Sequence, residues 1–198
     1  MIVNRALALV RSDGLAAVSM RRLAEELGTA PMSLYRHVPD REALMVALLD
    51  EVARSITLPP EAGDPRADIT AVLGAIHDSL CRDAWAVPLL VSEKLAGPSI
   101  MPALERLFAA LGRAGLSPRD SMVAYALLWH YTVGELLYSH ADAEDETFAR
   151  RMVRGADPET YPALAAAMSA IPPGRPGDFF TENLQRLLDG LLPPVARP

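Results

Sequence analysis

The stretch SMRRLAEELGTAPMSLYRHVPDR, residues 19–41, decides how the chain is read. Ser19 is a good N-cap, and Leu23, Ala24 and Leu27 follow at helical spacing. Gly28 falls just past the last of them, where a left-handed helix end is cheapest for glycine. Thr29 is placed to cap the next helix, and Pro31 stands in its first turn, where no backbone N–H is missed. This second helix, about Pro31 to His37, turns Leu34 and Val38 one way. Pro31, Met32, Ser33, Tyr35, Arg36 and His37 are left for other faces. Pro39 ends it, and Asp40 caps a longer helix from Arg41. A helix, a glycine turn and a second helix carrying phosphate- and base-bonding side chains form the pattern of a helix-turn-helix. The plainer alternative, a surface αα-hairpin in a helical bundle, would want a more apolar second helix.

Residues 2–56 resemble the N-terminal domain of the tetracycline-repressor (TetR) family. The resemblance is carried by Ala6-Leu7-Ala8-Leu9-Val10 before Gly14, by Ser19-Met20-Arg21-Arg22-Leu23-Ala24, and by Leu27-Gly28. It continues in Ser33-Leu34-Tyr35-Arg36-His37-Val38 and Arg41-Glu42-Ala43-Leu44. Later segments resemble the family's C-terminal domain: His130-Tyr131-Thr132-Val133-Gly134, and Phe179-Phe180 leading into Leu187-Leu188-Asp189-Gly190-Leu191. The resemblance implies an all-α fold, with a three-helix helix-turn-helix DNA-binding domain over residues 1–57. A larger helical effector-binding and dimerisation domain would cover 58–198. It implies a repressor that binds a palindromic operator as a homodimer and is released by a small molecule. Matched to the family motif, Arg21, Pro31, Met32, Ser33, Tyr35, His37 and Arg41 would face double-stranded DNA. Tyr35, His37 and Arg41 would meet phosphates, Ser33 and Arg21 a base edge or phosphate, and Pro31 and Met32 an apolar group such as a thymine methyl. Arg22 and Arg36 stay open between DNA contact and solvated charge. The chain starts almost at its first helix, without the basic arm many members carry. That predicts either a lower affinity or a start further upstream.

Composition and charge agree with such a protein. The 198 residues suffice for a real core. No uncharged apolar run of membrane length and no signal peptide occurs, so a cytoplasmic protein is expected. Cys81 is the lone cysteine, which excludes an intrachain disulfide and predicts a buried thiol. A net charge of −6 looks unfavourable for DNA. Yet residues 1–41 hold six arginines against four acids, while the remainder holds 13 basic and 21 acidic groups. The small surplus lies where phosphates would be met, so few phosphate contacts are expected.

Beyond residue 41 the chain reads as helices throughout. Leu44, Leu48, Val52 and Ile56 make a stripe over 41–57. Leu58-Pro59-Pro60-Glu61-Ala62-Gly63 is the clearest linker. Helices are predicted over about 64–83 (capped by Asp64), 86–95, 99–115 (capped by Ser99), 118–140 and 178–192. Asp157-Pro158 opens a short further one, Asp142–Glu146 is a polar acidic segment, and Pro172–Gly177 is a loop. The helices 118–140 and 178–192 carry more apolar surface than one small bundle needs. Intrachain core would explain this; the family resemblance implies instead that they pair across a dimer.

His77, Trp85, Met101, Phe108, Trp129, His130, Tyr131 and Tyr138 supply material for an amphiphilic effector pocket, though each would serve equally as core. Family members that bind tetracycline chelate its magnesium with a histidine in mid-body and a glutamate on the long helix. Here the glutamate position is Tyr138, and Val91–Gly97 holds no histidine. We therefore expect no metal site and no cofactor, and a partly apolar effector. Asp142, Glu144, Asp145 and Glu146 are read as solvated acids rather than a cation site. Control by a protein partner is the alternative. A helical enzyme is disfavoured: the four histidines are scattered, and neither Cys/His metal spacing nor a phosphate-cradling glycine loop occurs. His130 and Glu135, five apart, do not stack on a helix face, so no pair between them is expected.

Overall fold

The computed structural model describes residues 2–139, 148–170 and 179–193. Among them are eleven α-helices, two 3₁₀ turns and no strand. The head comprises α1 (Ile2–Asp13), α2 (Met20–Glu26), α3 (Pro31–Tyr35) and α4 (Arg41–Arg54). The body follows as α5 (Pro65–Arg82), α6 (Ala86–Val91), α7 (Met101–Arg113) and α8 (Pro118–Ser139). It ends with α9 (Phe148–Arg154), α10 (Pro162–Ala170) and α11 (Phe180–Leu191).

Local chemistry sets most of these ends. The Ser19 hydroxyl accepts from the Arg22 N–H at 3.2 Å, Asp40 from Ala43 at 2.7 Å, and Asp64 from Ala67 at 2.8 Å. Gly28 takes φ +62° and closes α2 with its N–H on the Glu25 carbonyl. Four sequence expectations change. Ala30, not Thr29, occupies the cap position of α3, without a side-chain bond, and α3 stops at Tyr35. Ser99 caps nothing: it lies in a 3₁₀ turn, and its N–H donates to Asp50 at 2.7 Å. Asp157 organises a turn through Glu159 and Thr160, and the helix begins later, at Pro162. Cys81 is exposed, one position beyond core-facing Leu80 on α5. The expectations for Asp142–Glu146 and Pro172–Gly177 fall outside the described residues.

One buried apolar cluster runs without interruption from Ala6 in α1 to Leu188 in α11. The helix α4 is common to both ends of it. Leu44 and Leu48 are buried, while Leu49 and Val52, also buried, line a space shared with α5, α7 and α8 of the body. The linker is tied down rather than loose. Arg106 on α7 donates to the carbonyls of Pro59 and Pro60. It also donates to the fully buried Asp68 at 2.8 Å. Arg113 at 2.5 Å and the Ala62 N–H at 3.0 Å complete the set around that carboxylate. Hydrogen bonding to Arg106 and Ala62 outweighs burial and holds the Asp68 carboxyl below its ordinary range.

The loop between α6 and α7 presses on α4. A Cβ placed on Gly97 would stand 2.2 Å from the Asp50 Cα, so only glycine fits this approach. Gly97→Ala is expected to cost about 1–3 kcal/mol, the usual penalty for overpacking, read as a lower urea midpoint with an unchanged slope.

Candidate nucleic-acid interface and effector cavity

In the head, Leu34 and Val38 are buried and fasten α3 to the core. That leaves Pro31, Met32, Tyr35, Arg36 and His37 exposed and Ser33 half-buried. Met32 is 74% exposed, far more than an isolated core helix would leave bare. The seven residues expected at DNA thus lie on α2, on α3, in the turn after it (His37) and at the start of α4. Six of the seven head arginines are paired with acids: Arg5 with Glu26, Arg11 with Asp83, Arg21 with Glu25, Arg22 with Asp13, Arg41 with Glu93 and Arg54 with Asp50 and Glu51. Arg36 instead donates to the neutral Ser33 hydroxyl at 3.4 Å and has no acidic partner among the described residues. The structure separates the two arginines left open by sequence: Arg22 is ion-paired with Asp13, and Arg36 bonds only the neutral Ser33 hydroxyl beside α3.

Head and body meet through a clamp and a seam. In the clamp, Arg11 of α1 donates from Nε and Nη2 to the buried Asp83 carboxylate at 2.8 and 2.7 Å. Trp85 Nε1 donates to the same group at 3.0 Å. Burial alone would raise the Asp83 carboxyl, but the Arg11 and Trp85 bonds prevail and hold it below the ordinary range. The seam is the Gly97–Asp50 approach, with Ser99 bonded to Asp50 and Arg41 reaching Glu93 at 3.2 Å.

Beneath the seam lies an apolar cavity of about 130 Å³. Its walls come from α4 (Leu49, Val52, Ala53) and Ile56 just beyond it, from α5 and α6, from the 96–100 loop, from α7, and from Tyr125 and Trp129 of α8. Of the eight residues expected at an effector site, Trp129 alone lines this cavity. Phe108 stands next to it, its ring 5.2 Å from that of Tyr125. Met101 is 63% exposed on an outer groove. Trp85 serves the clamp. The Tyr138 side chain is outside what is described.

The remaining three separate into two places. His77 and Tyr131 belong to a cluster between α5, α8 and α11. His77 Nε2 lies 2.6 Å from Glu135, its ring stacks on Phe180 at 3.9 Å, and the Tyr131 hydroxyl donates to the Phe180 carbonyl at 2.9 Å. Glu135 therefore does have a histidine partner, 58 residues away on another helix, which local spacing could not show. His130 is exposed, on the outward stripe Val123, Leu127, His130, Gly134 and Leu137 of α8. Val123 (54%), Leu127 (47%) and Leu137 (48%) are large apolar side chains left bare there. Cys81 stands 3.6 Å from His77 Nε2, and burial together with Glu135 and Asp78 pushes its thiol up, away from a reactive thiolate.

A short exposed helix held by two buried anchors, fused to an all-helical body around an apolar cavity, defines a helix-turn-helix transcriptional regulator. The chain belongs to the TetR family: residues 2–48 match the model described as bacterial regulatory proteins, tetR family, and residues 59–194 the tetracyclin repressor-like C-terminal domain. It is 32% identical to an HTH-type transcriptional regulator of Saccharopolyspora erythraea, over 96% of this chain and 82% of that one. It is also 32% identical to the HTH-type transcriptional repressor DrrR1 of Streptomyces coeruleorubidus, over 99% and 77%. The crystal structure of the Streptomyces coelicolor TetR family protein ActR in complex with actinorhodin superposes with a TM-score of 0.81 at 26% identity, covering 96% of this chain and 94% of that one. The family and these relatives are regulators of transcription, not enzymes. No helix among the described residues is long and apolar enough to cross a membrane.

The clamp carries a pH signature. A carboxyl held below its unfolded value adds stability that is complete above about pH 3.9, the unfolded aspartate pKa, and is lost as pH falls through the folded value. Asp83→Asn is therefore expected to lose about 2 kcal/mol at pH 7, the usual range for hydrogen bonds to a charged group. The gap from wild type should close below pH 4 in paired urea melts.

Proposed function

We propose that this regulator represses transcription by binding a palindromic operator as a homodimer, and that a small, largely apolar molecule in the α4–α8 cavity releases it. The observation that carries the reading is the exposed set on α3 held rigid by buried Leu34 and Val38. Tyr35 and His37 bond phosphates, Met32 and Pro31 make apolar base contact, and Ser33 and Arg21 reach a base edge or phosphate. Arg36 joins them. Arg41 exchanges Glu93 for a phosphate. In this reading residues 1–57 act on DNA and 58–198 on effector and dimer.

The dimer runs through α8 and α11. The outward α8 stripe has spacings of four, three, four and three residues, one continuous helix face, while Leu128, Thr132 and Leu136 fill the opposite face. A helix apolar all round calls for burial on both sides. Twofold symmetry then sets two α3 helices on half-sites about 34 Å apart or a multiple of it. Three α4 residues line the cavity, so an occupant touches the helix whose first turn carries Arg41. The similarity to ActR, solved with actinorhodin, supports a small-molecule effector over a protein partner.

Selection from a random duplex library is expected to recover a palindrome with wild type and none with Tyr35→Ala, which should melt like wild type. Recovery of the same site by the variant would refute this role for α3. Arg36→Ala should weaken binding and lower the salt slope by about one unit. Leu127→Glu should shift the protein from dimer to monomer in sedimentation; a dimer that survives it would place the interface elsewhere.

A further inference from the structure

We propose that the effector is an uncharged molecule with one aromatic ring in the inner cavity, a single hydroxyl or carbonyl on that ring, and an apolar tail lying in the outer groove of α7. This rests on the reading of the cavity as the effector site. The inner volume, about 130 Å³, is close to the ~150 Å³ dry cavity that accepts a benzene-sized ring, and well short of the ~300 Å³ needed for a drug-sized ligand. It therefore takes one ring.

None of its fifteen lining residues carries a formal charge, so a charged ligand would sit there uncompensated. Two of the lining residues carry a polar group. Tyr125 and Trp129 stand one turn apart on α8, and neither the Tyr125 hydroxyl nor Trp129 Nε1 has a hydrogen-bond partner among the described residues. Burial raises the Tyr125 phenol, which keeps it protonated as a donor. A ligand oxygen would offer either of them an acceptor.

The way out is equally defined. Leu104 lines both the cavity and the groove formed with Met101, Pro102, Glu105 and Phe108. Leu104 is the residue the two spaces share, and a ligand spanning both would pass beside it. The groove is apolar except for Glu105, which suits an alkyl or second-ring extension and disfavours an anionic one.

The test is calorimetric titration of the full chain with 4-hexylphenol, phenol and 4-hexylbenzoate. We expect 4-hexylphenol to bind at one site per chain, with phenol and 4-hexylbenzoate each at least tenfold weaker. Tyr125→Phe should weaken 4-hexylphenol several-fold. Ala53→Phe, which fills the inner space, should abolish binding. Met101→Asp, at an exposed position that does not endanger folding, should weaken 4-hexylphenol at least tenfold and leave phenol unchanged. Equal binding of the benzoate, no binding of 4-hexylphenol, or indifference to Met101→Asp would overturn the proposal. These titrations need no DNA. Failure of the regulator reading would appear instead as an empty operator selection, and release of a recovered operator by a charged effector would overturn the ligand class alone.

Discussion

The structure depends on one close approach, that of the 96–100 loop to the middle of α4. With no side chain at Gly97 the loop backbone reaches Asp50, and the Asp50 carboxylate then takes up the Ser99 N–H, which would otherwise lack a helical partner. The loop in turn roofs the cavity beside Ile100. As a 14-residue helix, α4 is about 21 Å long and stiff. Its first turns are packed into the head and its later turns form a cavity wall. Densely packed interiors do not deform continuously, so a change of volume at Val52 or Ala53 is passed along α4 instead of being absorbed. The Arg11–Asp83 clamp adds a second fixed point, through α1 instead of α4. Two fixed points define an orientation, where one would leave a pivot.

Charge in the head is arranged differently from what a count suggests. Most of the arginines are held by acids on the surface, in exposed pairs that contribute little to folding. Such pairs are cheap to exchange. An acid partner keeps a guanidinium extended and ordered while no phosphate is present, and its loss is small when one arrives. The body supplies two of these acids, Asp83 for Arg11 and Glu93 for Arg41, so part of the chain's negative charge is spent on ordering the head's arginines.

The head was legible because its signals are local. Ser19, Gly28, Pro31 and Asp40 act within one turn of where they stand, and Leu34 and Val38 follow from a four-residue spacing. The body was legible only as a string of helices. On α8 apolar residues point both ways, and periodicity alone does not tell an inward face from an outward one; hence His130 falls on the outer stripe while Trp129, its neighbour, reaches the cavity. Glu135, Asp83 and Asp68 find their partners across 58, 72 and 38–45 residues, distances over which a single sequence carries no signal. Gly97 looked like part of an ordinary loop because the reason for it is another helix. Tyr125 was passed over for more conspicuous aromatics, although its spacing from Trp129 was visible.

The strained turn of the α6–α7 loop has a chemical consequence. Lys94, the one non-glycine residue described with positive φ, is also the only lysine in the sequence; every other basic side chain is arginine. Reagents that acylate amines therefore meet a single internal target, three residues from the contact on Asp50 and next to the Glu93 that holds Arg41. A fluorophore or spin label attached by amine chemistry would report on this one loop without any engineered cysteine. The unmodified protein thus carries its own attachment point where cavity, α4 and head converge.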